Sequence, residues 1–345
     1  MLTVYTIEQS DEWDSVVRTF ADYDVYYLSG YVKAFQIHGD GEPLLFYYEG
    51  ENIRGINVVM KRDIAKDTHF IGKLEDNTYF DFSTPYGYGG WLIEGINTEF
   101  LFAEYEKCCR ENGIVSEFVR FHPVIKNHIS AGDAYEVVPM GEVVTMDLSS
   151  PEIIWRNFIS KNRNVIRKAQ KNGVQIYNGR YPEVYKQFVK IYNGTMDNDH
   201  ASKYYYFEDE FYESVLNDLP NNAQVFYAVY QNQIIAASIV ISANGKMNYH
   251  LSGSLREYSH LAATNLLLYK VALWGCENGC KSFCLGGGVG SNRDSLFSFK
   301  KAFYREENLN RFLIGKKVFD SSKYSELVKM RNMEKSEDFF PKYRA

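Results

Sequence analysis

Lys300 and Lys301 stand between two phenylalanines, Phe299 and Phe303, in the stretch FKKAF. On a helix the two rings share a face at i, i+4 and anchor it, which frees one lysine to reach into a cleft. A fixed ammonium there can stabilise the oxyanion of a tetrahedral acyl-transfer intermediate or the departing oxygen; a surface lysine is the plainer alternative. A second candidate is Asp81, on an apolar strand just before the turn STPYGYGG. A partly buried carboxylate at that place can bind an incoming ammonium or take its proton as general base, or it can serve only to cap the turn. Tyr86 and Tyr88 flank Gly87 and suit either the walls of a peptide site or simple packing.

The stretch WRNFISKNRNVIRKAQK, from Trp155 to Lys171, is basic. At 100° per residue Arg156, Arg163 and Arg167 fall within about 40° of one another on a helix. Ile154, Phe158, Val165 and Ala169 form a separate apolar stripe. Guanidinium forks match phosphate oxygens, so Arg163 and Arg167 are candidate contacts to a diphosphate or an RNA backbone, with a solvated basic face as the alternative. Gly286, Gly287 and Gly288 close the apolar stretch that ends at Leu285. A G-x-G-x-x-G fingerprint would need glycine at 291, where Ser291 stands, and no phosphate-binding P-loop occurs. Gly287 and Gly288 are therefore read as letting the backbone approach a substrate, or as a strand-end turn. Tyr206, last of three consecutive tyrosines before a helix, and Tyr249 are further candidates to line a site. Strand alternation lets only one of Tyr249 and His250 face a cleft. No Ser-His-Asp or Cys-His arrangement stands out, and no metal-ligand spacing is present.

The elements that position these residues occur twice. Phe46 to Met60 (FYYEGENIRGINVVM) and Phe226 to Ile241 (FYAVYQNQIIAASIVI) both read as hairpins with Asn52 or Asn232 in the turn. Further on, an amphipathic helix ends in Glu-Asn-Gly and passes at once into an apolar strand, at Gly113 and again at Gly279, both placed as left-handed C-caps. The spacing predicts two tandem strand–strand–strand–helix–strand units of α/β (α+β) class with mixed central sheets. The first is expected over residues 1–147 and the second over 148–315, with a boundary in the turn DLSSP. Residues 316–345 are expected to form a final strand or helix and a tail.

Composition narrows the function. The 345 residues are 45% hydrophobic and 24% charged, which is ordinary for a globular chain, with 28 tyrosines and a net charge of −6 that argues against a general nucleic-acid binder. No apolar run reaches the ~18 residues that span a bilayer, and no export signal opens the chain. The five cysteines form no framework, which fits reduced thiols and a cytoplasmic location.

DFSTPYGYGGW (Asp81 to Trp91), EFVRFH, RNVIRKAQKNG, LGGG and FKKAF together resemble the Fem-type peptidoglycan-bridge aminoacyltransferases and their GNAT-like relatives, over roughly residues 10 to 315. The resemblance implies a pair of GNAT-like domains. It also implies transfer of an amino acid from aminoacyl-tRNA to an amine on the stem peptide of a UDP-linked or lipid-linked peptidoglycan precursor. It favours Lys300 over Lys301 as the catalytic cation and implies no cofactor, with membrane contact only peripheral and only if the acceptor is lipid-linked. No charged heptad stretch is long enough for the helical arm of some members. An acyl-CoA-dependent N-acyltransferase acting on a sugar or small amine is the alternative, and a non-catalytic pair that binds precursor or tRNA is a third reading. The acyl-CoA reading is weakened by LREYSHLAATN (Leu255 to Asn265), which has no glycine before the helix that Thr264 or Asn265 is expected to cap.

Overall fold

The computed structural model describes residues 1–131, 134–331 and 339–345. In chain order its strands are β1 (Leu2–Tyr5), β2 (Glu42–Gly50), β3 (Ile53–Asp63), β4 (Phe80–Ser83), β5 (Leu92–Gly95), β6 (Ile114–Arg120), β7 (Glu136–Asp147), β8 (Gln175–Gly179), β9 (Ala223–Tyr230), β10 (Gln233–Ala243), β11 (Lys246–Ser254), β12 (Ser282–Gly286) and β13 (Asn310–Val318). The α-helices are α1 (Ser10–Arg18), α2 (Ser29–His38), α3 (Glu99–Glu111), α4 (His128–Ala131), α5 (Pro151–Asn157), α6 (Ser160–Lys171), α7 (Pro182–Asn198), α8 (Asp209–Asp218), α9 (Ala263–Glu277), α10 (Ser295–Lys301) and α11 (Ser321–Arg331). Among the described residues the longest helix is α7, at 17 residues, so none makes an extended arm.

The chain forms two compact units, Met1–Met140 with Phe312–Ala345, and Gly141–Arg311. Both are built on mixed sheets. In the first, the order is β1-β2-β3-β4-β6-β13, with β5 also on β3, and only β4 and β6 are parallel. In the second, the order is β7-β12-β11-β10-β9-β8, and only β11 and β12 are parallel.

The repeated sequence signals make repeated structure. Gly50 pairs with Ile53 in the hairpin β2–β3, and Tyr230 with Gln233 in β9–β10. Asn52 (φ 59°) and Asn232 (φ 63°) take the left-handed conformation such turns need, which asparagine tolerates better than most residues. Helices α3 and α9 both end on Asn112 or Asn278 followed by a left-handed glycine, Gly113 (φ 69°) or Gly279 (φ 77°), which turns the chain into β6 or β12.

The extent of the units differs from the sequence expectation. The division at Met140–Gly141 falls within β7 and not in the DLSSP turn. That turn's polar residues serve the next helix instead: the Ser150 side chain accepts from the Ile153 amide and caps α5. Residues 316–345 are no separate segment either. Strand β13 pairs with β6 from Ile314↔Arg120 to Val318↔Ser116. Leu327 of α11 and Tyr343 are both fully buried with Ile64, Phe70 and Val115 of the first unit.

Two separate cores result. Phe46, Phe82, Trp91, Tyr105 and Phe121 centre the first, and Phe158, Phe226, Leu268, Phe283 and Phe303 the second. At roughly 25 cal/mol per Å² of apolar surface, each fully buried aromatic contributes about 1.5–3 kcal/mol.

Candidate active site

In the second unit β11 and β12 pair over only three residues each, Lys246–Asn248 with Ser282–Cys284. Beyond that, β11 continues along β10 to Ser254, whereas Gly286 of β12 pairs with Val144 of β7. The two parallel strands part after Asn248. Backbone groups past such a parting can hold a carbonyl or a developing oxyanion.

The first unit has the same parallel pair without the parting. After Ser83↔Phe118, the Thr84 amide donates to the Phe118 carbonyl (3.0 Å) and the Gly89 amide to the Arg120 carbonyl (2.8 Å). The turn itself is tied down: Tyr31 donates to the Tyr86 carbonyl (2.6 Å), Tyr27 to the Gly90 carbonyl (2.7 Å) and Asn127 to the Gly89 carbonyl (2.8 Å). Only the second unit offers a parted strand pair.

Lys300 lies at the end of β12. It is 9% exposed, and its Nζ donates to the Gly287 carbonyl at 2.7 Å. Burial pushes the ammonium down to about 8, partly offset by nearby Cys284 and Asp294. The FKKAF geometry explains which lysine goes inside: Phe299 and Phe303 sit 5.6 Å apart on one face of the α10 turn, and Phe303 is fully buried. Lys301, one residue on, turns away and donates to the carbonyls of Tyr304 (2.9 Å) and Glu306 (2.8 Å).

The glycines shape the loop between. Gly286 is left-handed (φ 77°), which ends β12 and starts the turn. A Cβ on Gly287 would lie 2.8 Å from the Glu142 carbonyl, and one on Gly288 2.1 Å from the Asn292 carbonyl and 2.3 Å from Asp294 Oδ1. Asp294 clamps the same loop, accepting from the amides of Phe297 (2.8 Å) and Val289 (3.0 Å). Sequence reading missed Asp294, although an aspartate directly before SLF is an N-cap signal. Arg293 pairs with Glu142 of β7 (2.5 Å) and braces the loop from the other side.

The other candidates divide. Tyr249 is half-buried on β11, donates to Ser252 Oγ at 2.6 Å, and burial raises its phenol to about 12. Alternation does not assign it, because the β10–β11 register shifts at Ile239/Val240 and leaves His250 as the extra residue of a β-bulge. Burial lowers His250 to about 3, so the ring is neutral. Tyr206 donates to Asp197 Oδ1 at the end of α7 (2.9 Å). Asn265 does not cap α9 but bonds Asn162 Oδ1 (2.9 Å); the N-cap is Ala262, in a left-handed conformation with no side-chain cap.

The arginine face is not one face. The chain breaks helix at Phe158–Ile159, so Arg156 belongs to α5 and Arg163 and Arg167 to α6. Arg163 caps α5 from below: its guanidinium donates to the Phe158 carbonyl (2.5 Å) and to Ser160 Oγ (3.1 Å). Arg167 is exposed and stacks 5.1 Å from the Trp155 ring. Of the two, Arg167 keeps a guanidinium edge toward solvent.

Asp81 corrects the expectation of a general base. It is fully buried and accepts from Arg62 Nε (2.7 Å) on Oδ1, and from Arg344 Nε (2.5 Å) and the Tyr343 hydroxyl (3.1 Å) on Oδ2. Burial alone would raise its pKa, but Arg62 and Arg344 outweigh burial and hold the carboxyl below its usual range. A carboxylate so engaged fastens the C-terminus to β4. Tyr86 stacks on Phe35 (5.5 Å), and Tyr88 packs among Tyr26, His122 and Phe312. Asp81, Tyr86 and Tyr88 belong to the first unit, whereas Lys300, Gly287 and Gly288 are brought together in the second.

A family model for the acetyltransferase (GNAT) domain matches residues 158–300, the segment that carries β11, β12 and Lys300. No curated protein sequence matches the chain. Among solved structures the fold is similar to that of FemX, at 12% identity and a TM-score of 0.68 over 94% of this chain and 99% of that one. It is also similar to L-PGS from Bacillus licheniformis (13% identity, TM-score 0.57, 94% and 97% covered). A third is the C-terminal domain of a putative lysylphosphatidylglycerol synthetase from Agrobacterium fabrum (13%, 0.55, 94% and 95%). With two mixed-sheet units, residues 158–300 matching the acetyltransferase (GNAT) domain and a fold similar to that of FemX, the chain carries a GNAT domain within a FemX-like fold.

Proposed function

We propose that the chain is a cytoplasmic aminoacyltransferase that joins an amino acid, carried as an aminoacyl-tRNA ester, to an amine on the stem peptide of a UDP-linked or lipid-linked peptidoglycan precursor. The observation that carries this reading is the parted β11–β12 pair with the Lys300 ammonium held beside it at the Gly287 carbonyl. The resemblance of the chain's motifs to Fem-type enzymes supports the donor and the acceptor.

In this mechanism the ester carbonyl of the donor lies along β11 past Asn248, where it has parted from β12. The acceptor amine attacks it, forming the C–N bond and a tetrahedral intermediate whose negative oxygen is held by backbone N–H groups. The bond to the tRNA ribose oxygen then breaks, and the proton lost by the amine ends on that oxygen. Lys300, as an ammonium, stabilises the charge on the leaving oxygen. Positioning supplies most of the acceleration, with no covalent enzyme intermediate. Arg167, exposed beside Trp155, is proposed to contact phosphate of the donor or acceptor, and Tyr249 and Tyr206 to line the substrate path.

The test is to incubate the protein with labelled aminoacyl-tRNAs and a UDP-linked muropeptide, with acetyl-CoA and a panel of amines in parallel. Label appearing in the muropeptide, and lost in Lys300→Ala, is the expected result. Transfer from acetyl-CoA alone would replace this donor with a thioester.

A further inference from the structure

The first unit contains a cavity of about 590 Å³ on the β3 side of the sheet, well away in sequence from the acyl-transfer residues. That volume lies within the usual range for small-molecule sites. Its wall includes Arg62, Arg344, Lys61 and Lys66, against the carboxylates of Glu42, Asp63 and Asp67.

What distinguishes this wall is where its N–H donors go. Asp81 sits behind it and does not line it, yet it fixes both arginines by the same atom: Arg62 Nε lies 2.7 Å from Oδ1 and Arg344 Nε 2.5 Å from Oδ2. The two guanidinium groups are thus held by one carboxylate through their Nε edges. The Nη groups of Arg62 have no partner among the described residues. Arg344 Nη1 donates to Asp67 Oδ2 at 3.0 Å, whereas Arg344 Nη2 is buried and unpartnered. A buried guanidinium N–H without an acceptor costs on the order of 1–3 kcal/mol, which a bound oxyanion would recover.

The carboxylates in the wall already have partners, Asp67 and Glu42 among the wall's own cations. Asp63 accepts from the amides of Ala65 (3.0 Å) and Asn77 (2.9 Å), and Asp67 accepts from the His69 amide (3.0 Å) besides Arg344. Glu42 lies 3.8 Å from Lys61. Lys66 is exposed at the rim with no ion pair among the described residues. The wall therefore offers pre-oriented donors more than net positive charge.

We propose that this cavity binds the phosphate group of a small phosphorylated molecule, held by the Nη edge of Arg62, by Arg344 Nη2 and by Lys66. The open Nη fork of Arg62, the spare Nη2 of Arg344 and an ammonium, set on different elements, suit a tetrahedral, multi-oxygen anion better than a planar carboxylate, which a single fork satisfies. The assignment does not rest on the acyl-transfer reading.

Calorimetric titration of the full chain with inorganic pyrophosphate tests it, with citrate as the comparison anion. Saturable binding of pyrophosphate in a one-to-one ratio, tighter than citrate, is expected. Arg62→Lys keeps a cation on Asp81 but removes the Nη fork, and Lys66→Ala removes an exposed side chain with no part in the fold. Each should weaken binding about tenfold or more, the equivalent of one charge-assisted hydrogen bond. Absence of saturable binding, equal or tighter citrate binding, or unchanged affinity in Lys66→Ala would overturn the proposal. If Arg62→Lys unfolds, Lys66→Ala decides alone.

Discussion

A lysine enclosed to 9% exposure beside a strand end does two things at once: it supplies charge to a reaction and burdens the fold that holds it. Its ammonium titrates near 8 because burial disfavours the charged form. If the charged form acts, kcat falls as pH rises through about 8. Lys300→Arg, charged at every working pH, should lose that alkaline limb while turning over more slowly, and pH–rate profiles of the two proteins check this. Lys300→Ala should reduce kcat by about 10²-fold or more, with a smaller change in KM, the pattern of a group that acts in the transition state. The stability effect has the opposite sign. Below about 8 the ammonium is charged in folded and unfolded chains alike, and the burial cost is present in full; between about 8 and 10.5 the unfolded chain keeps a proton that the folded one has released, so the cost fades as pH rises. Lys300→Met should therefore stabilise the protein at pH 7 by up to about 3 kcal/mol. Urea melts should show the advantage vanishing above pH 10.5.

Elements hold this lysine through backbone fit. Gly288 has no room for a Cβ, which would meet the Asn292 carbonyl at 2.1 Å and push on the Asp294 clamp. Gly253 of β11 is equally tight, since a Cβ there would lie 2.7 Å from the Ile191 carbonyl of α7. Alanine at either place should cost about 1–3 kcal/mol through overpacking. Gly288→Ala should also lower kcat, because the displaced loop carries the carbonyl that orients Lys300. Gly253→Ala should leave kcat of the remaining folded protein closer to wild type. Chemical denaturation beside single-turnover rates separates the two outcomes. At this scale the sequence was most readable. Asn52, Asn232, Gly113 and Gly279 mark turns and caps because the left-handed conformation restricts which residues fit, whatever surrounds them. The basic helix was misread for the same reason in reverse: periodicity carried Arg156, Arg163 and Arg167 onto one face, but the chain leaves the helix at Phe158, whose ring packs on Phe303 at 5.2 Å. A long-range contact set that break.

Over the whole molecule, the first unit is completed by the end of the chain. Asp81, itself fully buried, receives Arg62, Tyr343 and Arg344, and Tyr343 also bonds Ser116 of β6 at 2.7 Å. Asp81→Ala would leave Arg62 without its carboxylate and Arg344 with Asp67 alone, and should cost about 3–5 kcal/mol. Removing Tyr343–Ala345 should cost a comparable amount, and urea denaturation of each variant checks both. Because the folded carboxyl sits below its unfolded value of about 3.9, its stabilisation is present above that pH and is lost as pH falls through the folded value. An acid melt of Asp81→Asn should lack that step.

Local rules and repetition let the amino-acid sequence by itself determine the paired hairpins, the glycine-capped helices, two mixed-sheet units and the choice of the FKKAF lysines as candidates. Hydrophobic period, turn chemistry and capping act within a few residues, so each is written where it operates. Tertiary structure alone decided that β11 and β12 part while β4 and β6 stay joined, that Lys300 and not Lys301 is enclosed, and that Asp81 is tied to Arg344. Residues 81 and 344 are 263 positions apart, and an ion pair across such a separation depends on the path of the entire intervening chain, which no local pattern encodes.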